Sequence, residues 1–346
     1  MMSVYRHFLK PYMFRKDAEQ AHYQTMHWMR KAMKIPGARS WFRSRYQLNN
    51  PALRRKIMGI DFPNPVGMAA GFDKDGKYID LLPFLGFGFA EIGTVTPLPQ
   101  LGNPKPRLFR LEKDEALINR MGFNNDGVQA MVRRLEERNQ DDFIVGGNIG
   151  KNKDTPNEEA HKDYAICTEA LNGLVDFFVI NVSSPNTPGL RALQNDESLK
   201  KIIGSVQDHN VAGVPVLLKV APDMELELLE SLIQVVDQTG IEGLINHNTT
   251  VRRDGLLTSD SEIEKIGAGG LSGKPLNSYF GKRTAEIRRR LPKDKVLIAS
   301  GGIYDSSVAV DRMRNGADLI EVFTGMIFNG PGFVKSILEE IQEADF

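Results

Sequence analysis

The chain has 346 residues, 41% hydrophobic and 25% charged, with 44 Lys/Arg against 44 Asp/Glu; this is an ordinary globular composition, sized for one large α/β domain or two smaller ones. A single cysteine, Cys167, excludes an intramolecular disulfide and a cysteine-built zinc cluster. No run of about 18 apolar residues offers a transmembrane helix, and the N-terminus lacks the apolar stretch of a signal peptide, so an intracellular protein is expected.

The balanced charge conceals a polarity. Residues 1–56 carry 13 Lys/Arg and 2 Asp/Glu, a net +11, and the remainder is −11. A basic segment on an acidic body points to an anionic surface as partner, nucleic acid or a phospholipid headgroup layer. Tyr5, Phe8, Leu9, Tyr12 and Met13 recur at helical spacing with Arg6 and Lys10 between them. Asp17 can cap a second helix, with Gln20 completing a capping-box pattern, and Ala18, Ala21, His22, Thr25, Trp28, Met29, Ala32 and Met33 form one face. Ile35-Pro-Gly37 ends it and Trp41-Phe42 follows. Such a helical pair can lie in a membrane interface, apolar side down and Lys/Arg toward headgroups, or it can dock on the body. His7, His22 and His27 form no metal pattern, and nothing here resembles a nucleic-acid motif.

From residue 57 onward, short apolar strands alternate with helical patterns. Candidate strands are Val66–Ala70, Ala90–Val95, Ile144–Ile149, Phe177–Val182, Val216–Val220, Gly243–His247, Val296–Ala299 and Leu319–Phe323. Helices are expected near 76–85, 126–139, 158–174, 196–209, 225–239, 277–291, 305–315 and 332–343, with Cys167 a core residue of the third. Eight consecutive βα units without a long break predict a closed (β/α)8 TIM barrel rather than a doubly wound sheet, preceded by an N-terminal helical extension. Residues 57–62 read as a small hairpin at the barrel floor. Excursions at 98–123 and 251–270, with the 185–195 loop, should roof the top face.

The strand ends carry the chemistry. In order they read Ala69-Ala-Gly-Phe-Asp-Lys74, Gly93-Thr-Val-Thr96, Asn148-Ile-Gly-Lys-Asn152, Asn181 to Asn186, Lys219-Val-Ala-Pro222, His247-Asn-Thr-Thr250, Ser300-Gly-Gly302 and Phe323-Thr-Gly325. Asn and Lys are frequent and carboxylates few, which suits a ligand rich in amide and carbonyl edges with anionic groups. It does not suit a glycosidase or a two-metal hydrolase. Ser300-Gly-Gly302 and Phe323-Thr-Gly325 stand where barrels commonly hold a phosphate, and Asp305 can cap the helix that follows. A phosphate-bearing cofactor is therefore expected. Spacing alone leaves Ser183 and Ser184 as rivals for a reactive hydroxyl.

Six long motifs, Ala69-Ala-Gly-Phe-Asp-Lys-Asp-Gly76, Glu91-Ile-Gly-Thr-Val-Thr-Pro97, Asn119-Arg-Met-Gly-Phe-Asn-Asn125, Asn148-Ile-Gly-Lys-Asn152, Asn181-Val-Ser-Ser-Pro-Asn-Thr-Pro-Gly-Leu190 and Gly269-Gly-Leu-Ser-Gly273, together resemble the dihydroorotate dehydrogenase family. The likeness covers almost the whole chain. The basic helical extension, and serine rather than cysteine after the fourth strand, resemble its class 2, quinone-dependent, membrane-associated branch.

The resemblance implies FMN as cofactor, L-dihydroorotate as substrate and ubiquinone or menaquinone as acceptor, in pyrimidine (UMP) biosynthesis. It implies residues 1–50 as a membrane and quinone-access domain, residues 51–346 as the FMN-binding barrel, and a peripheral location on the cytoplasmic face of the inner membrane if the source is bacterial. Ser184 is implied as the base taking the C5 proton, with Phe123 and Thr187 shaping the proton path. Substrate would be held by Lys74, Asn119, Arg120, Met121, Gly122, Phe123, Asn181, Asn186, Asn248 and Thr249. The flavin would lie against Ala70, Gly71, Phe72, Asp73, Lys74, Thr94, Asn148, Asn181 and Lys219, with Gly273, Gly302, Phe323 and Thr324 at its phosphate end. One departure is His247, where bacterial relatives usually carry a flavin-contacting Thr; its ring is expected to turn aside and leave a backbone contact. No metal is implied. The rivals are a soluble fumarate- or NAD-dependent relative, and a catalytically silent barrel with a membrane-binding N-terminus.

Overall fold

A computed structural model describes residues 5–138 and 143–344; the last residue of the expected helix 126–139 lies outside the described residues. Eight parallel strands close into a barrel: β1 (Val66–Asp73), β2 (Phe89–Val95), β3 (Ile144–Ile149), β4 (Phe177–Asn181), β5 (Val216–Val220), β6 (Gly243–Asn246), β7 (Val296–Ser300) and β8 (Leu319–Val322). Each pairs with its sequence neighbour, and β8 returns to β1. Strands buried on both faces read as continuous apolar runs, which is why they were visible in the sequence.

The floor is a plug of inward side chains from six of the eight strands. Phe89, Phe177, Val179, Leu217, Ile245, Ile298 and Leu319 pack with Phe62, which the hairpin of Arg55–Ile57 and Ile60–Phe62 carries under the barrel. Room for the Phe89 ring comes from Gly67, where a Cβ would stand 2.3 Å from the ring. Barrel helices pack outside in the expected order, and Cys167 is buried in the helix Ala160–Leu171. The first expected helix is instead a 3-10 segment, Ile79–Leu85, with Pro83 inside it.

Two features depart from the sequence reading. The excursions at 98–123 and 251–270 join into one antiparallel sheet, with Ala116–Asn119 between Leu108–Leu111 and Gly270–Gly273. The second excursion also holds a short helix, Asp260–Ile266. The extension has a π-helical turn (Tyr5–Leu9) running into helix Lys10–Phe14, then helices Ala18–Ala32 and Ala38–Tyr46, rather than a pair. Asp17 caps the middle helix, accepting from Gln20 N at 3.0 Å.

The extension is stitched over the carboxyl end of the barrel. Arg107 grips Glu19 with two hydrogen bonds, 2.7 and 3.0 Å, in a buried pair. Tyr5 Oη donates to Ile327 O (2.5 Å), Arg6 to Asn329 Oδ1 (2.6 Å) and Arg110 to Lys16 O (2.7 Å). Ala18, Ala21, Met26 and Met33 are buried, while Phe8, Leu9, Tyr12, Trp28, Ile35 and Trp41 are each at least 42% exposed. Docked and outward-facing apolar surfaces thus coexist on one unit. Trp28 is partly exposed at the edge of the expected face, stacked on Tyr12 with ring centroids 6.3 Å apart.

Candidate active site

A cavity of about 540 Å³ opens at the carboxyl ends of the strands and continues beneath the extension. Its barrel end is lined by Ala70, Gly71, Lys74, Thr94, Asn119, Met121, Gly122, Phe123, Asn181, Ser184, Asn186, Lys219, His247, Asn248, Thr249, Gly273, Gly302, Phe323 and Thr324. Its outer end is lined by apolar and aromatic groups of the extension, among them Met13, Met26, Trp28 and Met29. Phe72 joins the two: its ring meets His22 edge-on at 4.7 Å and Phe323 at 5.8 Å.

Strand register assembles the polar wall. Asn181 lies opposite Lys219 on the neighbouring strand. Thr94 Oγ1 donates to Asn148 Oδ1 (2.5 Å), Asn181 Nδ2 donates to Thr94 Oγ1 (2.8 Å), and Asn148 Nδ2 donates to Glu91 Oε2 (2.6 Å). This chain crosses β2, β3 and β4, so each amide's orientation is set by the next. Lys219 projects into the barrel, its Nζ 2.8 Å from Glu91 Oε1 and 3.3 Å from Glu321 Oε2. Burial opposes the charge of Lys219, but Glu321 and Glu91 outweigh it and hold the ammonium above its usual range. Neither glutamate was singled out as a site residue from the sequence.

The loop after β4 separates the two serines. Ser183 is buried away from the cavity, its hydroxyl donating to Asn181 Oδ1 (3.1 Å) and accepting from Asn248 Nδ2 (3.1 Å). Ser184 lines the cavity and accepts from Asn186 N at 3.2 Å. Asn186 Nδ2 in turn donates to Asn119 Oδ1 (3.0 Å). Arg191, also missed in the sequence, clamps this loop: it donates to Ser183 O (3.0 Å) and Thr249 O (3.1 Å) and pairs with Asp223 (3.2 Å). Lys74 reaches across to Gly122 O at 3.1 Å. Burial, and then the nearby Arg107 guanidinium, draw its ammonium down to about 8.

The glycine-rich end is a set of tight backbone turns with one buried arginine behind them. Gly302 has φ +70° and would carry a Cβ only 3.1 Å from the Arg312 guanidinium, so the backbone there is both left-handed and crowded. Arg312 is buried and bonds to Asn277 O and Oδ1 (2.8 and 2.9 Å), with no carboxylate in its grip. Asp305 caps the following helix through Val308 N (2.9 Å). His247 is 2% exposed, its ring against Phe280 (centroids 4.2 Å apart) and both nitrogens without a partner. Burial, then Arg312 and Arg283, push the imidazole well below its usual range, so it is neutral. The unpaired His247 nitrogens, the glycine turns with Arg312 behind them and the amide-lined wall fit a phosphorylated, flat heterocycle.

Not every candidate faces the cavity. Asn148 stands behind Thr94 and Asn181. Arg120 is turned outward, donating to Ile266 O and Ala268 O (the latter 3.2 Å), with its guanidinium over Phe109. Asp73 lines the cavity, but its carboxylate accepts from Lys77 N (2.8 Å) and Tyr78 N (2.6 Å) and so shapes the loop after β1. Thr187 is buried and does not line the cavity. Among the described residues no group of His, Cys, Asp and Glu is arranged to hold a metal.

Fold and site together define a (β/α)8-barrel enzyme with a deep cavity, polar at the barrel and apolar at its mouth. The profile of the dihydroorotate dehydrogenase family matches residues 52–344. Dihydroorotate dehydrogenase (quinone) of Christiangramia forsetii is 47% identical over 98% of this chain and 99% of its own, and that of Halorhodospira halophila 44% identical over 94% and 95%. Among solved structures, the ligand-free Eimeria tenella dihydroorotate dehydrogenase superposes with a TM-score of 0.85 at 37% identity, covering 95% of this chain and 97% of that one. The same enzyme in complex with ferulenol gives 0.84, covering 95% and 91%. The chain belongs to the dihydroorotate dehydrogenase family.

Proposed function

We propose that the protein oxidises (S)-dihydroorotate to orotate in pyrimidine biosynthesis, with FMN in the barrel end of the cavity and a quinone as final acceptor. One observation carries this: a single cavity joins the strand-end polar wall to the apolar lining of the extension. A polar substrate and a lipophilic acceptor need such a pair of chemically different approaches. A soluble acceptor such as fumarate or NAD has no use for the apolar mouth, so that reading is not favoured.

When bound, FMN takes up a hydride and passes its electrons on. The glycine turns at Gly273 and Gly302, with Phe323, Thr324 and His247, would hold its phosphate and ribityl end, with Arg312 supplying the neutralising charge behind them. Thr94 and Asn181 would fix the ring edge, with Asn148 orienting both from behind, Ala70, Gly71 and Phe72 would meet its face, and Lys219 would stabilise negative charge on it. Asn119, Asn186, Asn248 and Thr249 would bond the substrate's ring amides and carboxylate, and Lys74 would add a charge-assisted bond. Met121, Gly122 and Phe123 would shape the substrate's side of the cavity.

Ser184 would take the C5 proton. A serine is a weak base, so it needs exclusion of water and a route onward for the proton. The Arg191 clamp and the Asn186 N–H fix its loop, and Phe123 and Thr187 would border the route. Residues 1–50 would form the quinone-access unit, its exposed Phe8, Tyr12, Trp28 and Trp41 meeting the membrane interface and its basic rim the headgroups. The contact would be peripheral, on the cytoplasmic face of the inner membrane if the source is bacterial; no described helix is long and apolar enough to cross a membrane. Replacing Ser184 by Ala tests the assignment. Flavin content and dihydroorotate affinity should be kept while anaerobic flavin reduction slows by roughly 10²–10⁴-fold, the usual range for a lost general base. Reduction at the wild-type rate would remove Ser184 from this role.

A further inference from the structure

Beneath the cavity, one ammonium faces two carboxylates. Lys219 Nζ is 2.8 Å from Glu91 Oε1 and 3.3 Å from Glu321 Oε2, and all three residues are at most 4% exposed. The two carboxylates differ in what satisfies them. Both oxygens of Glu91 have donors, the ammonium on one and Asn148 Nδ2 at 2.6 Å on the other. Glu321 meets the ammonium at the longer distance, and its Oε1 is buried without any partner. Glu321 and Lys219 line the cavity; Glu91 does not. Strand register sets Ser300 and Gly67 opposite Glu321, neither of them titratable.

Charge counting then decides the protonation. Two ionised carboxylates around one ammonium would leave a net negative charge in a dry interior, and a buried group in that position keeps its proton instead. Glu91, fully supplied with donors, is the one able to stay ionised. We propose that Glu321 is a neutral carboxylic acid in the working protein, its O–H shared with the Glu91 carboxylate, and that it acts as a positioning residue fixing the charge Lys219 presents to the cavity. Burial and the Glu91 charge push Glu321 well above the carboxylate range, while the Lys219 ammonium and the hydrogen bonds from Glu321, Lys219 and Asn148 hold Glu91 below it against burial. With the ionised carboxylate on the far side, the cavity meets a positive field that favours an electron-rich ring. An ionised Glu321 would put a negative charge on the near side and oppose reduction.

This rests on the FMN reading for its redox consequence, but not for the protonation itself. The test uses full-length, flavin-loaded protein labelled with ¹³C-glutamate, which separates Glu321 from the buried Asp73. Infrared spectroscopy at about pH 8, well above the ordinary carboxyl range, should show an isotope-shifted C=O stretch of a protonated carboxyl. The band should vanish in Glu321→Gln. It should vanish in Glu91→Gln as well, because Lys219 then draws its counter-ion from Glu321. The flavin midpoint potential should stay at the wild-type value in Glu321→Gln and fall in Glu91→Gln. Absence of the band in the wild type, its survival in either variant, or a marked rise in potential in Glu321→Gln would each overturn the proposal. The wild-type band alone decides if a variant does not fold. A band with no dihydroorotate-dependent reduction would sink the functional reading and leave this one standing.

Discussion

Lys74 shows how one side chain's surroundings become a testable pH dependence. Its amine is lowered to about 8 by burial and by Arg107. Its charge is therefore present below that value and lost above it. In the free enzyme, kcat/KM for an anionic substrate should fall through an apparent pKa near 8 on the alkaline side. Lys74→Arg should move that limb out of range, and Lys74→Met should lower kcat/KM by roughly 10- to 100-fold, the worth of one charge-assisted bond. A limb unmoved by the Arg variant would contradict the assignment. The same shift has a stability sign: between about 8 and 10.5 the unfolded chain binds more protons, so stability rises with pH across that window. Lys74, the Asn set and the glycine turns were legible in sequence because they end apolar runs. Glu91 and Glu321 were not, since each stands inside such a run and meets Lys219 from 128 and 102 residues away. Arg191 and Arg312 sit in a loop and a helix, where an arginine gives no sign of facing inward.

At the scale of elements, the extension is held by groups that titrate in the acid range. Burial lowers the His22 ring to about 4, and Arg107 holds the Glu19 carboxylate below its usual range against burial. Both signs agree. The neutral imidazole contributes stability above its ordinary value of 6.5 that is lost as pH falls toward about 4. The ionised Glu19 contributes stability that is lost as pH falls through its depressed value. Helix 18–32 should therefore loosen from the barrel on acidification before the barrel opens. Hydrogen exchange should show its amides losing protection between pH 6.5 and 4 while those of β4 and β5 keep theirs, and His22→Phe should flatten part of the change. Loss of protection in step across both units would contradict this. The barrel strands could be read from the sequence because each is a continuous apolar run. The roof sheet could not, because Gly270–Gly273 pairs with Ala116–Asn119 about 150 residues away and is itself half glycine. A hydrophobic period has nothing to act on in such a strand.

Over the whole molecule, charge and apolar exposure fall on the same unit. The +11 segment carries the exposed aromatic side chains, and both tryptophans of the chain, Trp28 and Trp41, lie in it. Intrinsic tryptophan fluorescence therefore reports the extension alone. Anionic vesicles should shift the emission to the blue, the shift should weaken as salt screens the headgroups, and neutral vesicles should act less. No shift with anionic vesicles would remove the membrane from the account. The central claim, that one cavity serves a polar reductant and a lipophilic oxidant, is tested most directly by a two-step anaerobic trace on the full chain. L-dihydroorotate is added first and flavin absorbance followed; a soluble ubiquinone analogue is added second. Bleaching is expected, then rapid return of the oxidised spectrum. Bleaching that quinone does not reverse would contradict the acceptor, and flavin-loaded protein that dihydroorotate fails to bleach would contradict the substrate.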